Sequence, residues 1–185
     1  MLAEQEDLAM IPSFHPDLVA GVATYAHELF AAAGELDSVY IPIGLGSGIC
    51  GTITARNLLG CNTKIIGVVS AAANTYALSF QNRAPTPPNS AKTFAEGVAV
   101  RAPHPDAVAM INANVDHIVE VSDADIRDAM RTIFETTRNT VEGAGAVALA
   151  GVLKERDTLR GKRVGAVLSG HNIDAARFAE VLMGG

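Results

Sequence analysis

The stretch "YIPIGLGSGICG" (residues 40–51) is the feature that most restricts how this chain can fold. A short run of β-forming residues is followed by Gly44, Gly46, Gly48 and Gly51, among small residues that suit a helix. Glycine permits positive φ and lets backbone N–H groups approach a ligand without an obstructing Cβ. The N-terminus of a helix adds unpaired donors and a partial positive charge. The pattern therefore predicts an anion-binding loop, with a packing loop that holds no ligand as the alternative.

Strand and helix patterns alternate along the rest of the chain. Strands are predicted over residues 38–43, 64–70, 117–122 and 162–169, and helices over 16–30, 48–59, 143–153 and 174–182, with another capped by Ser122 and Asp125. Most of these strands are apolar on both faces, which is typical of a parallel sheet covered on both sides. We therefore expect an α/β fold, a three-layer sandwich with a mostly parallel, Rossmann-like sheet, in which residues 1–185 form a single domain.

Composition excludes several classes of partner. The net charge is −6 and the basic residues do not cluster, which argues against nucleic acid and anionic membrane surfaces. No apolar run reaches membrane-spanning length and no secretion signal begins the chain, so a cytoplasmic location is expected. Cys50 and Cys61 match neither a zinc site nor a redox pair, and the histidines are scattered, so we expect no structural metal.

The glycines also restrict which phosphate could bind. "GSGICG" (46–51) fits the dinucleotide pattern G-x-G-x-x-G, which requires an acidic residue near the end of the next strand. Residues 68–71 contain no carboxylate, and the first one to follow is Glu96. No Gly-Lys-Ser/Thr follows the loop, so it is not a P-loop. A phosphate ester smaller than a dinucleotide is favoured.

Three polar residues are candidates for a functional role. In "VLSGHNID" (167–174), Ser169 follows a predicted strand and would stand at the sheet edge that carries the glycine loop, although a helix cap or turn is the alternative. His171 is too near in sequence to converge on Ser169 as an activating base. Glu142, in "NTVEGAGA", precedes a small-residue helix and could simply interact with its N-terminus. Glu96, in "FAEGVAV", is a weaker candidate, for which a functional and a purely structural role are likewise both open.

Together, these stretches resemble the serine/threonine dehydratase branch of the fold-type II pyridoxal-phosphate (PLP) enzymes, which includes serine racemases. The similarity runs in order through "PSFHPDLVAGVAT", "VYIPIGLGSGICG", "FAEGVAV", "VEGAGAVALAG" and "VLSGHNID". The related cysteine synthases generally lack the closing S-G-x-N-x-D pattern, which favours the dehydratase branch.

The resemblance implies PLP as the cofactor and a role for each candidate residue. The glycine loop would wrap the cofactor's phosphate, and Leu45 and Ser47 stand where relatives often have glycine. Ser169 would hydrogen-bond the pyridine nitrogen, while Glu142 and the Glu96–Gly97 turn would lie near the ring; Ser169 and Glu142 are the candidate catalytic residues. The implied cofactor-binding positions are Gly44, Leu45, Gly46, Ser47, Gly48, Glu96, Gly97 and Ser169.

The sequence also departs from the family pattern. The S-x-K-x-R segment with the Schiff-base lysine and the S-G-N-H-type substrate loop are not found, and the lysines present (Lys64, Lys92, Lys154 and Lys162) fit none of the family's lysine contexts. We therefore expect the chain to be a truncated copy, the C-terminal portion of such an enzyme. Val69, Ala73 and Thr75 occupy positions where some relatives bind a divalent cation, so that metal site is predicted to be absent.

The implied reaction is β-elimination of a hydroxy amino acid, L-threonine to 2-oxobutanoate and ammonia or L-serine to pyruvate. Without the lysine, activity of this chain alone would be doubtful. The alternatives are a non-catalytic fragment or pseudoenzyme that keeps a phosphate-binding cradle and, less favoured, a dinucleotide-binding oxidoreductase. The expected partners are a small amino acid substrate and further copies of the same chain in a homo-oligomer.

Overall fold

The computed structural model describes residues 2–184, except for the side chain of Leu2. The strands are β1 (Ser38–Pro42), β2 (Lys64–Ser70), β3 (His117–Val121) and β4 (Val164–Ala166). The helices are α1 (Leu2–Gln5), α2 (Pro16–Ala33), α3 (Ser47–Leu58), α4 (Thr75–Asn82), α5 (Pro105–Asn114), α6 (Asp123–Thr137), α7 (Gly143–Glu155) and α8 (Ala175–Leu182). Short 3-10 helices cover Ala71–Ala73 and Glu96–Val98.

The four strands form one sheet in the order β3-β2-β1-β4, and every pairing is parallel. In this register Tyr40 of β1 lies between Ile66 of β2 and Ala166 of β4. Because the strands are parallel, their carboxyl ends all meet at one edge of the sheet. The glycine loop after β1 and Ser169 after β4 therefore share that edge.

Helices cover both faces of the sheet, as the alternation of side chains requires. Val39, Ile41 and Ile43 pack in one buried cluster with residues of α2, α3, α4 and α5. Tyr40, on the opposite face, packs in a second cluster with residues of α6, α7 and α8. This three-layer arrangement confirms the predicted α/β fold class.

Helix α7 lies very close to the sheet because its residues are small. Residues 143–148 are all buried, and a Cβ atom built on Gly151 would lie 2.7 Å from Val68 Cγ2 and 3.3 Å from Tyr40 Cδ1. A larger side chain at position 151 would push the helix away from β1 and β2. The predicted close packing of this helix is confirmed.

The ends of other predicted elements agree with local signals. Pro16 occupies the first turn of α2, and Gly34 ends that helix at φ +67°. Ser122 and Asp125 form the predicted capping box at the start of α6. Within residues 2–184, no helix combines the length and the apolar character that a membrane crossing requires.

The prediction for residues 162–169 was wrong in length and burial. Strand β4 has only three residues, is partly exposed, and pairs with β1 alone at the edge of the described sheet. Without a second neighbouring strand, its backbone and side chains are covered on one side only. Helices α4 and α5 were not predicted, although Pro105 at the start of α5 is a known start signal.

Candidate cofactor site

The glycine loop turns sharply from β1 into α3. Gly46 is the residue before α3 and has φ +107°, a left-handed conformation that side chains other than glycine resist. A Cβ atom on Gly46 would also lie 2.8 Å from Ala107 Cβ and 3.2 Å from the Tyr76 hydroxyl oxygen. Both the backbone conformation and the surrounding packing therefore require glycine at position 46.

Consecutive backbone amides in this loop are unpaired within residues 2–184. The N–H groups of residues 45–49 donate no hydrogen bond within residues 2–184, and Cys50 is the next residue to donate, to the Gly46 carbonyl oxygen at 3.0 Å. Gly46 has no side chain that could cap the helix, and the first turn of α3 contains no acidic residue. An uncapped helix N-terminus with free donors and no competing carboxylate is chemically suited to a phosphate.

Two tyrosines that the sequence analysis missed contact carbonyl groups here: Tyr76 holds the Leu45 carbonyl of the loop, whereas Tyr25 contacts the Gly48 carbonyl, which already belongs to α3. The Tyr76 hydroxyl donates to the Leu45 carbonyl oxygen at 2.6 Å and accepts from the His104 N–H at 3.2 Å. The Tyr25 hydroxyl donates to the Gly48 carbonyl oxygen at 3.2 Å. Burial raises the pKa of Tyr76 to about 12, so its hydroxyl remains a neutral donor. No local motif marks these tyrosines, because each contact joins residues more than twenty positions apart.

The glycine loop contacts the predicted Glu96–Gly97 turn. A Cβ atom built on Gly44 would lie 2.6 Å from the Gly97 carbonyl oxygen, so the two backbones touch. The turn is anchored by Asp123, whose carboxylate accepts from the Thr93 hydroxyl at 2.6 Å and from the Phe94 N–H at 3.0 Å. The sequence analysis missed Asp123, whose first-turn position in α6 indicates only a helix start.

Glu142 lies between Gly97 and Gly170. A Cβ atom on Gly97 would be 3.7 Å from Glu142 Oε1, and a Cβ atom on Gly170 would collide with the same carboxylate. Glu142 directly precedes α7, but its half-buried carboxylate makes no capping hydrogen bond and no other hydrogen bond within residues 2–184. Glu142 therefore lies at the N-terminus of α7, which was the alternative to a functional role, but its carboxylate is also free to contact a ligand.

Ser169 follows the carboxyl end of β4. The backbone is held on β1 by the Val167 N–H, which donates to the Tyr40 carbonyl oxygen at 3.0 Å. The Ser169 side chain is exposed, and its hydroxyl makes no hydrogen bond within the described chain. His171 Nδ1 lies 2.7 Å from the Thr140 carbonyl oxygen and is thus engaged elsewhere. Ser169 is not a helix cap here, since Asp174 is the residue before α8.

A cavity of about 210 Å³ opens beside Glu142 and Gly97. Arg177 lies on its wall and pairs with Glu96, with 2.9 Å between Arg177 Nη1 and Glu96 Oε1. Both side chains are substantially exposed, so the pair contributes little to stability. In the part of the chain described, no group of three or more His, Cys, Asp or Glu residues is arranged to hold a metal ion.

The fold and the loop together define an α/β protein with a row of unpaired backbone amides, within residues 2–184, at the carboxyl edge of a parallel sheet. Residues 1–170 match the family described as pyridoxal-phosphate dependent enzymes, and the chain belongs to this family. Pyridoxal phosphate is the cofactor of the family, and the free amides of residues 45–49 fit its phosphate.

Individual relatives place the chain near enzymes that act on hydroxy amino acids. It is 35% identical over 184 residues to L-threo-3-hydroxyaspartate ammonia-lyase of Saccharomyces cerevisiae (99% of this chain, 56% of the relative). It is 40% identical over 169 residues to phenylserine dehydratase of Ralstonia pickettii (89% and 51%). The processed form of threonine deaminase isoform 2 from Solanum lycopersicum superposes with a TM-score of 0.92 at 30% identity, covering 98% of this chain and 54% of that one. The chain thus spans about half the length of these relatives.

Proposed function

We propose that the complete protein catalyses PLP-dependent β-elimination of a 2-amino-3-hydroxy acid: L-threonine to 2-oxobutanoate and ammonia, or L-serine to pyruvate. The observation that carries this proposal is the run of unpaired amides at residues 45–49, close to the Gly97–Glu142–Gly170 contacts. Hydroxyaspartate, phenylserine and threonine, named in the relatives, all carry an amino group at C2 and a hydroxyl at C3. This shared chemistry supports the substrate class.

The resemblance to the PLP enzymes suggests a role for each candidate residue. The amides of residues 45–49 would bind the phosphate of the cofactor. The free hydroxyl of Ser169 would hydrogen-bond the ring nitrogen and, being neutral, would not force that nitrogen to remain protonated. Glu142 and the Glu96–Gly97 turn would line the ring. When bound, PLP would withdraw electron density from the substrate's Cα and so acidify its proton, and the electron pair left when that proton is lost would form the Cα–Cβ double bond and expel the 3-hydroxyl.

The positions of the lysines argue that none of them forms the covalent link to the cofactor. Lys64 and Lys162 lie at the amino edge of the sheet, 2.9 Å from Asp116 and 3.2 Å from Asp37 respectively. Lys154 donates to the Glu120 carbonyl oxygen at 2.7 Å, and Lys92 stands in the exposed loop before Phe94. We propose that the reactive amine is not among these residues. This same observation favours a second candidate function for the 185-residue chain alone, a phosphate-binding fragment or pseudoenzyme.

One experiment separates the two functions. The 185-residue chain and the longest product of the same gene are each mixed with PLP, treated with borohydride and weighed by intact mass spectrometry. Ammonia release is then measured with L-threonine, L-serine, 3-hydroxyaspartate and phenylserine. A covalent adduct and activity on the longer product alone support the lyase; an adduct on neither leaves only the binding function. If the longest product of the gene is the 185-residue chain itself and this chain is active, the proposal about the lysines is wrong.

A further inference from the structure

The peptide group between Leu45 and Gly46 has two possible orientations with opposite effects on an anion. In a planar trans peptide, the carbonyl of one residue and the N–H of the next point in opposite directions. The Leu45 carbonyl oxygen points to the Tyr76 hydroxyl at 2.6 Å, so the Gly46 N–H points away from Tyr76. That N–H is one of the unpaired amides of the loop.

Glycine at position 46 permits this peptide plane to rotate. Glycine populates positive and negative φ about equally, so its φ of +107° does not by itself hold the plane. A flip would turn the Gly46 N–H toward Tyr76 and the Leu45 carbonyl toward the bound anion. A donor would thereby be replaced by an oxygen that repels phosphate.

We propose that Tyr76 is a positioning residue that locks the Leu45–Gly46 peptide with its N–H toward the phosphate. This inference rests on the proposed function, since it assumes that residues 45–49 bind the phosphate. Tyr76 itself has little freedom: the residue is 1% exposed, and its hydroxyl oxygen also accepts from the His104 N–H at 3.2 Å. The side chain can thus hold the carbonyl in one direction.

Tyr25 provides a matched control, because its hydroxyl also donates to a loop carbonyl. The Gly48 carbonyl, however, belongs to α3, and the Thr52 hydroxyl, which lies 2.8 Å from the Tyr25 hydroxyl oxygen and 3.0 Å from the Gly48 oxygen, can donate to that carbonyl when the Tyr25 hydroxyl is removed. Its peptide plane is held by the helix without Tyr25. Removal of the Tyr25 hydroxyl should therefore leave the loop amides in place, although it removes a similar hydrogen bond.

The test compares inorganic phosphate binding to the 185-residue chain and to its Tyr76→Phe and Tyr25→Phe variants by calorimetry. Tyr76→Phe should weaken the binding of phosphate by about tenfold or more, because the hydrogen bond from the Gly46 N–H to a charged phosphate oxygen is lost. Tyr25→Phe should change the affinity for phosphate by no more than about twofold, because it removes a hydrogen bond between neutral groups and leaves the loop amides in place. Equal affinity of Tyr76→Phe and the unaltered chain overturns the inference alone. If the unaltered chain does not bind phosphate, the proposed function fails, and the inference fails with it.

A second measurement needs no variant. In the unaltered chain, phosphate should shift the NMR amide resonance of Gly46 and slow its hydrogen exchange. If phosphate moves the resonances of Ser47 and Gly48 but leaves that of Gly46 unchanged, the locked orientation is wrong even though the cradle is right. This readout also keeps the inference testable if Tyr76→Phe does not fold.

Discussion

The backbone N–H of Glu142 donates to the carbonyl oxygen of Gly170 at 3.1 Å and ties the start of α7 to the segment after β4. The same Gly170 carbonyl lies against Gly145, in the first turn of the helix, so closely that a Cβ at position 145 would overlap it. Ser169 precedes Gly170 and has no side-chain hydrogen bond in the described chain. Its position therefore depends on the backbone contacts of Glu142 and Gly145.

Gly145→Ala should destabilise the protein although alanine is the better helix former. The added Cβ would meet the Gly170 carbonyl oxygen and lie 3.0 Å from the Gly170 nitrogen, both backbone atoms that cannot simply turn aside. Overpacking of this kind costs about 1–3 kcal/mol, more than the gain in helix propensity of about 1 kcal/mol. Urea unfolding measures the difference.

Gly21→Ala is the control for that experiment. Gly21 lies in α2, and a Cβ there would meet nothing within 4 Å. This variant should be more stable by about 0.5–1 kcal/mol. A Gly145→Ala variant that is equally stabilised would show that Gly170 does not pack on α7 as described.

Gly46→Ala should abolish phosphate binding, since position 46 combines positive φ with a Cβ contact of 2.8 Å to Ala107. Gly60→Ala is a suitable comparison: Gly60 also has positive φ (+64°), but nothing lies within 4 Å of its Cβ position. Both variants should lose about 1–2 kcal/mol of stability from backbone strain, and Gly46→Ala should lose more because its Cβ also meets Ala107. Calorimetry with phosphate should detect a loss of binding for Gly46→Ala alone; equal binding by the two variants would place the anion elsewhere.

Ser169→Ala should leave stability within about 0.5 kcal/mol, because an exposed hydroxyl without a partner contributes little to folding. In the active enzyme the same change should lower the rate of elimination. Ser122→Ala, which removes the capping box of α6, should instead cost about 1 kcal/mol and leave the reaction unaffected. Normal turnover by Ser169→Ala would mean that this serine does not contact the cofactor.

The folding stability should depend on pH through His117, at the amino edge of the sheet. Burial lowers the pKa of His117, but hydrogen bonds and charges from Asp116 and Glu155 outweigh burial, and the pKa is raised overall. The charged imidazole is thus favoured in the folded state. The contribution of His117 to the free energy of unfolding is fully present below its pKa in the unfolded chain, about 6.5, and is lost as the pH rises through its higher pKa in the folded chain.

Urea unfolding at a series of pH values between 5.5 and 8.5, ~0.5 apart, can isolate this contribution. The groups that face the ring are Asp116 beside it and Glu155 from α7; Tyr40 donates to Glu155 at 2.6 Å and Lys64 pairs with Asp116. His117→Asn should remove the fall in stability over this range. An unchanged pH profile in His117→Asn would assign the dependence to other groups.

The tyrosines should resist ionisation in the folded chain. Burial raises the pKa of Tyr25, Tyr40 and Tyr76, in the last case to about 12, and the hydrogen bond from Tyr40 to Glu155 raises the pKa of Tyr40 further. Tyrosinate absorbance should therefore be small at pH values where free tyrosine, with a pKa of about 10, is half ionised. Stability from these groups is present below pH 10 and is lost as pH rises through the folded values. The chain contains no tryptophan, which simplifies the absorbance measurement.

Local patterns in the sequence determined the α/β class, three of the four strands, the capped start of α6 and the glycine loop. Each of these depends on neighbouring residues: β1 and β2 on continuous apolar runs, α6 on Ser122 and Asp125, the loop on glycines that permit positive φ. The candidate residues Gly97, Glu142 and Ser169 were also visible as motifs, although their contacts were not.

Tertiary structure alone decided which distant residues complete the site. Tyr76 reaches Leu45 across 31 positions, and Asp123 anchors the Glu96–Gly97 turn by bonding to Thr93 and Phe94 across about 30. Neither contact can be recognised from neighbouring residues in the sequence, because a buried tyrosine or an aspartate in the first turn of a helix is common in many different folds. The edge position of β4 was hidden for the same reason: the number of strands beside it depends on the sheet order and not on its own apolar residues.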